Sequence, residues 1–396
     1  MLHQFTVRAA SMGLLAAFVG YASSFAIVLS GLTSMGASDQ QAATGLMFAT
    51  LGMGVCGVWV AFTTRTPAAI AWSTPGAAFL ASVTALPGGF AEATGAFICC
   101  ALMIVITGFV PLLARLVATI PKPIANALLA GVLLKLCFAP AFALGATPLL
   151  MLPILAAWLA GLTINKLLAM PFAVAAFIVV LLYVPDTPAP ATINLLTAIT
   201  LQAPVFSWQA LISVSVPLYL VTMAGQNIPG YTLLELNEYP VQREKLLRAT
   251  GWFSTAVAPF GAIPVNMSAI TAAMMCGDDA GSNPQNRYWA AMICGMAYIL
   301  LAFFSSSVIT VARLAPDGLI TAVAGLALIP ALTAAVTTSF SQSLQLEAPA
   351  LTFLITASGM TLAGVSGAFW GVVAGVIVWH IKASQQQPDQ PTGQDA

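Results

Sequence analysis

Ala71-Trp72-Ser73-Thr74-Pro75-Gly76 reads as a helix start placed inside an apolar run. A Ser or Thr hydroxyl caps the free N–H groups of a first turn, and Pro fits that turn because its missing N–H is not needed there. No charged residue occurs from 67 to 86, so this helix starts at mid-depth in a membrane rather than at its surface. Backbone exposed at that depth is tolerated only where protein or a water-filled cavity satisfies it. The pattern returns at Val265-Asn266-Met267-Ser268-Ala269-Ile270. There Pro264-Val265 reads as extended, and Asn266 or Ser268 can cap a helix over 269–276.

The composition around these stretches fits a lipid solvent. Of 396 residues, 60% are hydrophobic and 6% charged, with 12 basic and 12 acidic side chains. A soluble domain carries roughly 25% charged residues. Nucleic-acid binding calls for a clustered basic face, which this charge balance lacks. The apolar runs are continuous rather than alternating, which excludes a β-barrel. His3 and His380 lie at the chain ends, and the six cysteines sit in apolar runs without a CxxC, so no metal site or cofactor is expected.

At about 20 residues per span, spans fall near 12–32, 41–62, 67–84, 92–112, 122–140, 147–164, 170–185, 209–230, 246–261, 264–276, 287–308, 316–334, 349–364 and 366–381. The last two leave room only for a tight hairpin. With the N-terminus inside, 10 of the 12 cations are cytoplasmic: Arg8, Arg65, Arg115, Lys122, Lys166, Arg243, Lys245, Arg248, Arg287 and Lys382. The positive-inside rule asks for this bias. Both termini are therefore expected in the cytoplasm, at the inner membrane. Residues 383–396 read as a disordered tail.

The halves repeat. Ala130-Gly131 and Ala324-Gly325 lie 194 residues apart, and the same offset lays the short third span over the short tenth. Seven spans per half invert the second half. The expected fold is an all-α integral membrane protein of about 14 helices in a 7+7 inverted repeat, with repeats at 1–190 and 205–382. Inverted repeats with interrupted helices mark secondary transporters that bind substrate at the midplane.

Candidate substrate-binding residues follow from this placement. Two helix N-termini supply N–H donors and positive dipole ends, which favour an anion. Ser73, Thr74, Asn266, Met267 and Ser268 belong to the interrupted spans, and Tyr21, Ser23 and Ser24 lie near the middle of the first. Gln226 and Asn227 sit in the eighth, beside Pro229-Gly230, which reads as a break. Trp72 could stack on a planar ligand; Trp59, Trp158, Trp208, Trp252 and Trp370 read as interface anchors or packing. The bland alternative for the Ser, Asn and Gln side chains is helix–helix hydrogen bonding or capping. Lys135, deep in the fifth span, reads as snorkelling outward, with a lure for anions as the minor role.

Gly20-Tyr21-Ala22-Ser23-Ser24, Trp72-Ser73-Thr74-Pro75-Gly76-Ala77-Ala78, Leu220 to Gly230 (LVTMAGQNIPG), Ala269-Ile270-Thr271-Ala272-Ala273 and Thr356-Ala357-Ser358-Gly359 resemble the benzoate membrane transport (BenE) family of bacterial proton-coupled symporters. They spread over nearly the whole chain. The resemblance implies a fold similar to nucleobase and sulfate-type transporters. Spans 1–4 and 8–11 would form a core that slides as an elevator against a gate of spans 5–7 and 12–14, the gate often making a homodimer. It implies symport of benzoate or a related aromatic carboxylate with protons.

One departure matters. Nucleobase transporters of this fold carry acidic residues in the eighth and tenth spans, where this chain has Gln226, Asn227 and Asn266. Glu92 and Asp39 read as outer-loop residues; Glu235, Glu238, Asp278, Asp279 and Glu347 read as inner ones. The proton carrier is therefore unassigned, unless the substrate acid brings its own proton. Another organic anion, a nucleobase or a passive anion channel stays open as the alternative. An enzyme would need a nucleophile–base pair or a metal cluster, and none is visible.

Overall fold

The computed structural model describes residues 6–110, 119–183, 197–316, 318–341 and 346–385. His3, Arg115 and most of the expected tail lie outside them. The first half contains α1 (Val7–Ala22), α2 (Phe25–Ser34), α3 (Asp39–Thr64), β1 (Ile70–Trp72), α4 (Thr74–Ser82), α5 (Gly89–Phe109), α6 (Lys122–Cys137), α7 (Ala139–Ala146), α8 (Pro148–Ile164) and α9 (Ala169–Leu182). The second contains α10 (Trp208–Leu236), α11 (Arg243–Val257), β2 (Val265–Met267), α12 (Ala269–Cys276), α13 (Tyr288–Ala302), α14 (Ser305–Arg313), α15 (Leu319–Ser339), α16 (Glu347–Ser358) and α17 (Gly367–Gln385). Among the described residues, six helical stretches, including Val7–Ser34, α3, α5 and α10, are long and apolar enough to cross a membrane.

Local sequence explains the helix ends. Ser38 and Gln41 form a reciprocal capping box at α3. The close of the chain is the tight hairpin expected: β3 (Thr361–Leu362) and β4 (Val365–Ser366) pair around Ala363-Gly364, both at positive φ. Helix α17 runs to Gln385, further than expected. An ion pair between Lys382 and Glu347 ties its end to the start of α16 and holds the Glu347 carboxyl below its usual range.

Packing repeats across the halves. Helix α3 crosses α13 with Gly54 and Gly295 face to face; a Cβ on either would stand 2.7 Å from the other's carbonyl oxygen. Helix α5 crosses α11 in the same way, with Gly251 against the Val105 backbone and Gly108 against that of Arg248. Small residues let helices approach where lipid gives no hydrophobic drive to associate.

Three expectations are corrected. Matched at their helix caps, Ser73 and Ser268, the two interrupted elements are offset by 195 residues (268 − 73) rather than 194. Pro229-Gly230 is no break. The helix continues through it, and the preceding turn, Met223–Asn227, is π-helical. An earlier π-turn, Leu211–Ser215, stands likewise two residues before Pro217. A wider turn absorbs the hydrogen bond that each Pro cannot make. Glu92 is not in a loop: it is 5% exposed in the first turn of α5. Its carboxylate accepts the Gly88 N–H at 2.7 Å and the Ser207 hydroxyl at the start of α10.

Candidate functional site

The centre of the molecule is the antiparallel pair of β1 and β2. Ile70 faces Met267, Ala71 faces Asn266 and Trp72 faces Val265. The ladder extends through Ser73 N–H to Pro264 C=O and Ser268 N–H to Ala69 C=O, both 2.9 Å. The pair satisfies extended backbone that lipid could not. Helix α4 leaves one strand and α12 the other, so their N-termini lie at opposite ends of the pair. Four residues separate the two caps along it, about 13 Å at roughly 3.3 Å per residue.

The two N-termini differ. Ser73 Oγ accepts the Gly76 N–H at 3.1 Å and bonds the Thr222 hydroxyl at 2.7 Å. With Pro75 contributing no donor, the first turn of α4 is largely occupied. Ser268 holds the matching position on α12, yet no side chain caps that helix.

The first span wraps this centre. The Trp72 indole N–H donates to Ser24 Oγ at 2.8 Å, and Ser24 donates to Gly20 C=O at 2.8 Å. Ser23 also donates to Gly20 C=O, at 3.2 Å. These back-bonds sit where α1 gives way to α2. Tyr21 lies against Trp72 with ring centroids 5.3 Å apart. Trp72 is 1% exposed, so its faces are occupied by protein here. A Cβ on Gly20 would collide with the Tyr298 hydroxyl and stand 3.0 Å from Thr271. Among the described residues the buried Thr271 hydroxyl has no hydrogen-bond partner, and the buried Tyr298 hydroxyl faces the Cys294 thiol.

Helix α10 adds the amides. Asn227 Oδ1 accepts the Met267 N–H at 3.0 Å, and its Nδ2 faces Met223 Sδ at 3.3 Å. Asn266, with its amide oriented to suit its neighbours, donates to Met267 C=O at 2.7 Å and accepts from the Ser73 N–H at 3.1 Å. Both asparagines are fully buried. Gln226 is half-buried, and its amide has no hydrogen-bond partner among the described residues. Gly225 beside it lies against Pro75 of α4. Of the residues singled out by sequence, Ser24, Ser73, Asn227 and Asn266 are thus engaged with protein, and Met267 is enclosed. Among the described residues, the polar side chains of Thr74, Gln226 and Ser268 have no hydrogen-bond partner. Sequence reasoning gave no role of their own to Thr222, Thr271 and Tyr298, which lie within ordinary apolar helix patterns and are marked only by the neighbours the fold brings.

Lys135 is exposed, with its Nζ against Gly359 at the C-terminus of α16. That is the negative end of a helix, a favourable place for a cation. Among the described residues there is no group of three or more His, Cys, Asp and Glu side chains able to hold a metal.

A family profile described as Benzoate membrane transport protein (BenE) matches residues 3–381. The chain belongs to this family. The family is one of membrane transporters rather than enzymes. Among its relatives, the inner membrane protein YdcO of Escherichia coli (strain K12) is 34% identical over 370 residues, 93% of this chain and 94% of that one. The benzoate membrane transport protein of Acinetobacter baylyi (strain ATCC 33305 / BD413 / ADP1) is 28% identical over 378 residues, 95% of each. Among solved structures, SLC26A9 matches with a TM-score of 0.65 at 12% identity, over 97% of this chain and 67% of that one. The transmembrane domain of the cyanobacterial bicarbonate transporter BicA matches with a TM-score of 0.61 at 14% identity, over 94% and 98%. The BenE chain therefore has the all-helical membrane transporter fold of these proteins, a 7+7 inverted-repeat type.

Proposed function

We propose that this chain is a secondary active transporter that takes up benzoate or a related aromatic carboxylate together with a proton. The observation that carries the reading is the uncapped N-terminus of α12 beside the central strand pair. The carboxylate binds there, with the Ser268 hydroxyl and the Gln226 amide as further donors and Thr74 across the site. The roughly 13 Å between the caps is too long for one carboxylate to bridge, and α4 has fewer free donors. A helix end contributes only about 0.3–1 kcal/mol, up to about 2 when partly buried, so the side-chain donors are needed to offset desolvation. The ring packs on the apolar surface near Met267 and Trp72 once the site opens.

With no acid at the central pair, the substrate carries the proton. A carboxylic acid with a pKa near 4 is about one part in a thousand protonated at pH 7, and more so on an acidic outer side. About 14 spans cross the inner membrane with both termini in the cytoplasm. Residues of 1–190 and 205–382 supply two repeats. A core of spans 1–4 and 8–11 slides against a gate of 5–7 and 12–14, and the gate builds a homodimer.

Proteoliposomes test this. An inward proton gradient should drive saturable uptake of labelled benzoate, reduced by Gln226→Ala. If an imposed pH gradient moves no aromatic acid, the reading fails. The second reading, another small organic anion or a passive anion conductance, is favoured by the nature of the free donors, which recognise charge and leave the ring unread. A competition panel and a test for saturation separate the two.

A further inference from the structure

A groove of about 460 Å³ runs between the end of α3 and the start of α11. Trp59 and Trp252 form its sides and stay 56% and 53% exposed. Lys245, Arg248, Thr63 and Gln242 also line it. Arg248 lies over the Phe109 ring at 5.0 Å and donates to Glu244 C=O at 3.2 Å, which fixes its guanidinium. Lys245 makes no ion pair among the described residues. Neighbouring Arg243 is already neutralised by Glu235, and Glu244 is not part of the wall.

We propose that this groove binds the headgroup of an anionic phospholipid from the membrane leaflet around it. Three observations converge. The charge is complementary: one unpaired ammonium and one fixed guanidinium meet no lining carboxylate. The two tryptophans are placed as interfacial rings, where one edge meets headgroups and the other meets chains. Beyond the groove, exposed Val55, Phe62, Ile106 and Phe109 offer apolar surface for acyl chains. Basic pockets between helix ends on the cation-rich side are suited to acidic headgroups. Gln242, which lines the groove, leaves the first turn of α11 uncapped, adding N–H donors beside it. A bound lipid here clamps α3 to α11, one helix from each half.

The test is titration of the purified full-length protein in detergent with phosphatidylglycerol carrying brominated chains, reading tryptophan quenching. Quenching should saturate, lose a component in Trp59→Phe, and occur at lower lipid concentration than with brominated phosphatidylcholine. Lys245→Gln and Arg248→Gln should each weaken the half-saturation by about fivefold. Lys245→Gln is the safer variant, because Arg248 also packs on Phe109. Equal quenching by both lipids, or a Lys245→Gln protein that binds like the parent, would overturn the proposal. So would full competition by glycerol phosphate at the concentration where the lipid acts, since the groove would then read a free phosphate and not a lipid.

Discussion

Asn227 on α10 accepts the backbone N–H of Met267, the last residue of β2, at 3.0 Å with both residues fully buried. The bond spans 40 residues of sequence and ties the wide turn of α10 to the strand that launches α12. Its neighbour Gln226 is half-buried and uncommitted. Adjacent amides are therefore separable in function. Asn227→Ala leaves a buried N–H unpaired, at a cost of about 1–3 kcal/mol, and should lower the thermal midpoint. Gln226→Ala should leave the midpoint nearly unchanged and weaken benzoate binding. Melting curves with and without ligand check both.

Ser24 and Trp72 form the second testable pair. Ser24→Ala removes the acceptor of a buried indole N–H, a loss of about 1–3 kcal/mol. Trp72→Phe removes the donor along with ring area. In the double variant the two losses should fall short of additive by about 1 kcal/mol, the coupling typical of a direct hydrogen bond. Additive losses would mean that the bond contributes nothing.

The Gly54–Gly295 crossing gives a prediction of rigid sterics. A Cβ on Gly295 would stand 2.7 Å from the Gly54 carbonyl oxygen. Gly295→Ala should therefore push α3 from α13 and cost about 1–3 kcal/mol. Gly145 has open space around it, so Gly145→Ala should be close to neutral. Detergent unfolding of the two variants side by side checks the contrast.

The half-helix at Thr74 was legible because Ser-Thr-Pro-Gly is a local signal that needs no partner. The strand pairing was not. Ile70 and Met267 meet across 197 residues, and nothing local announces that Pro264-Val265 completes a ladder with Ala69 to Ser73. Pro229 misled for a related reason. A missing N–H is visible in sequence, but the means of absorbing it, a π-turn at 223–227, depends on the turn before it. Glu92 looked like a loop residue because charge near a span edge defaults to solvent. Its burial rests on Ser207, 115 residues away. Among the candidate site residues, residue type was informative and engagement was not: sequence selects Ser73 and Ser268 alike, and only the fold makes one a working cap.

That last difference gives the sharpest test of the site. Ser73 caps α4, so Ser73→Ala should cost about 0.5–2 kcal/mol. Ser268 caps nothing, so Ser268→Ala should leave stability close to that of the parent and weaken carboxylate binding through one lost donor. Ser268→Asp separates the roles further. Its carboxylate can accept the free N–H groups of α12 and interact with the positive helix end, a gain of about 0.3–1 kcal/mol that is opposed by desolvation at a position only 6% exposed. It would also occupy the position proposed for the substrate carboxylate. Whatever its own midpoint, the variant should then show no benzoate-dependent rise in it. A Ser268→Asp protein that still binds benzoate at the parent's affinity would move the anion site away from α12.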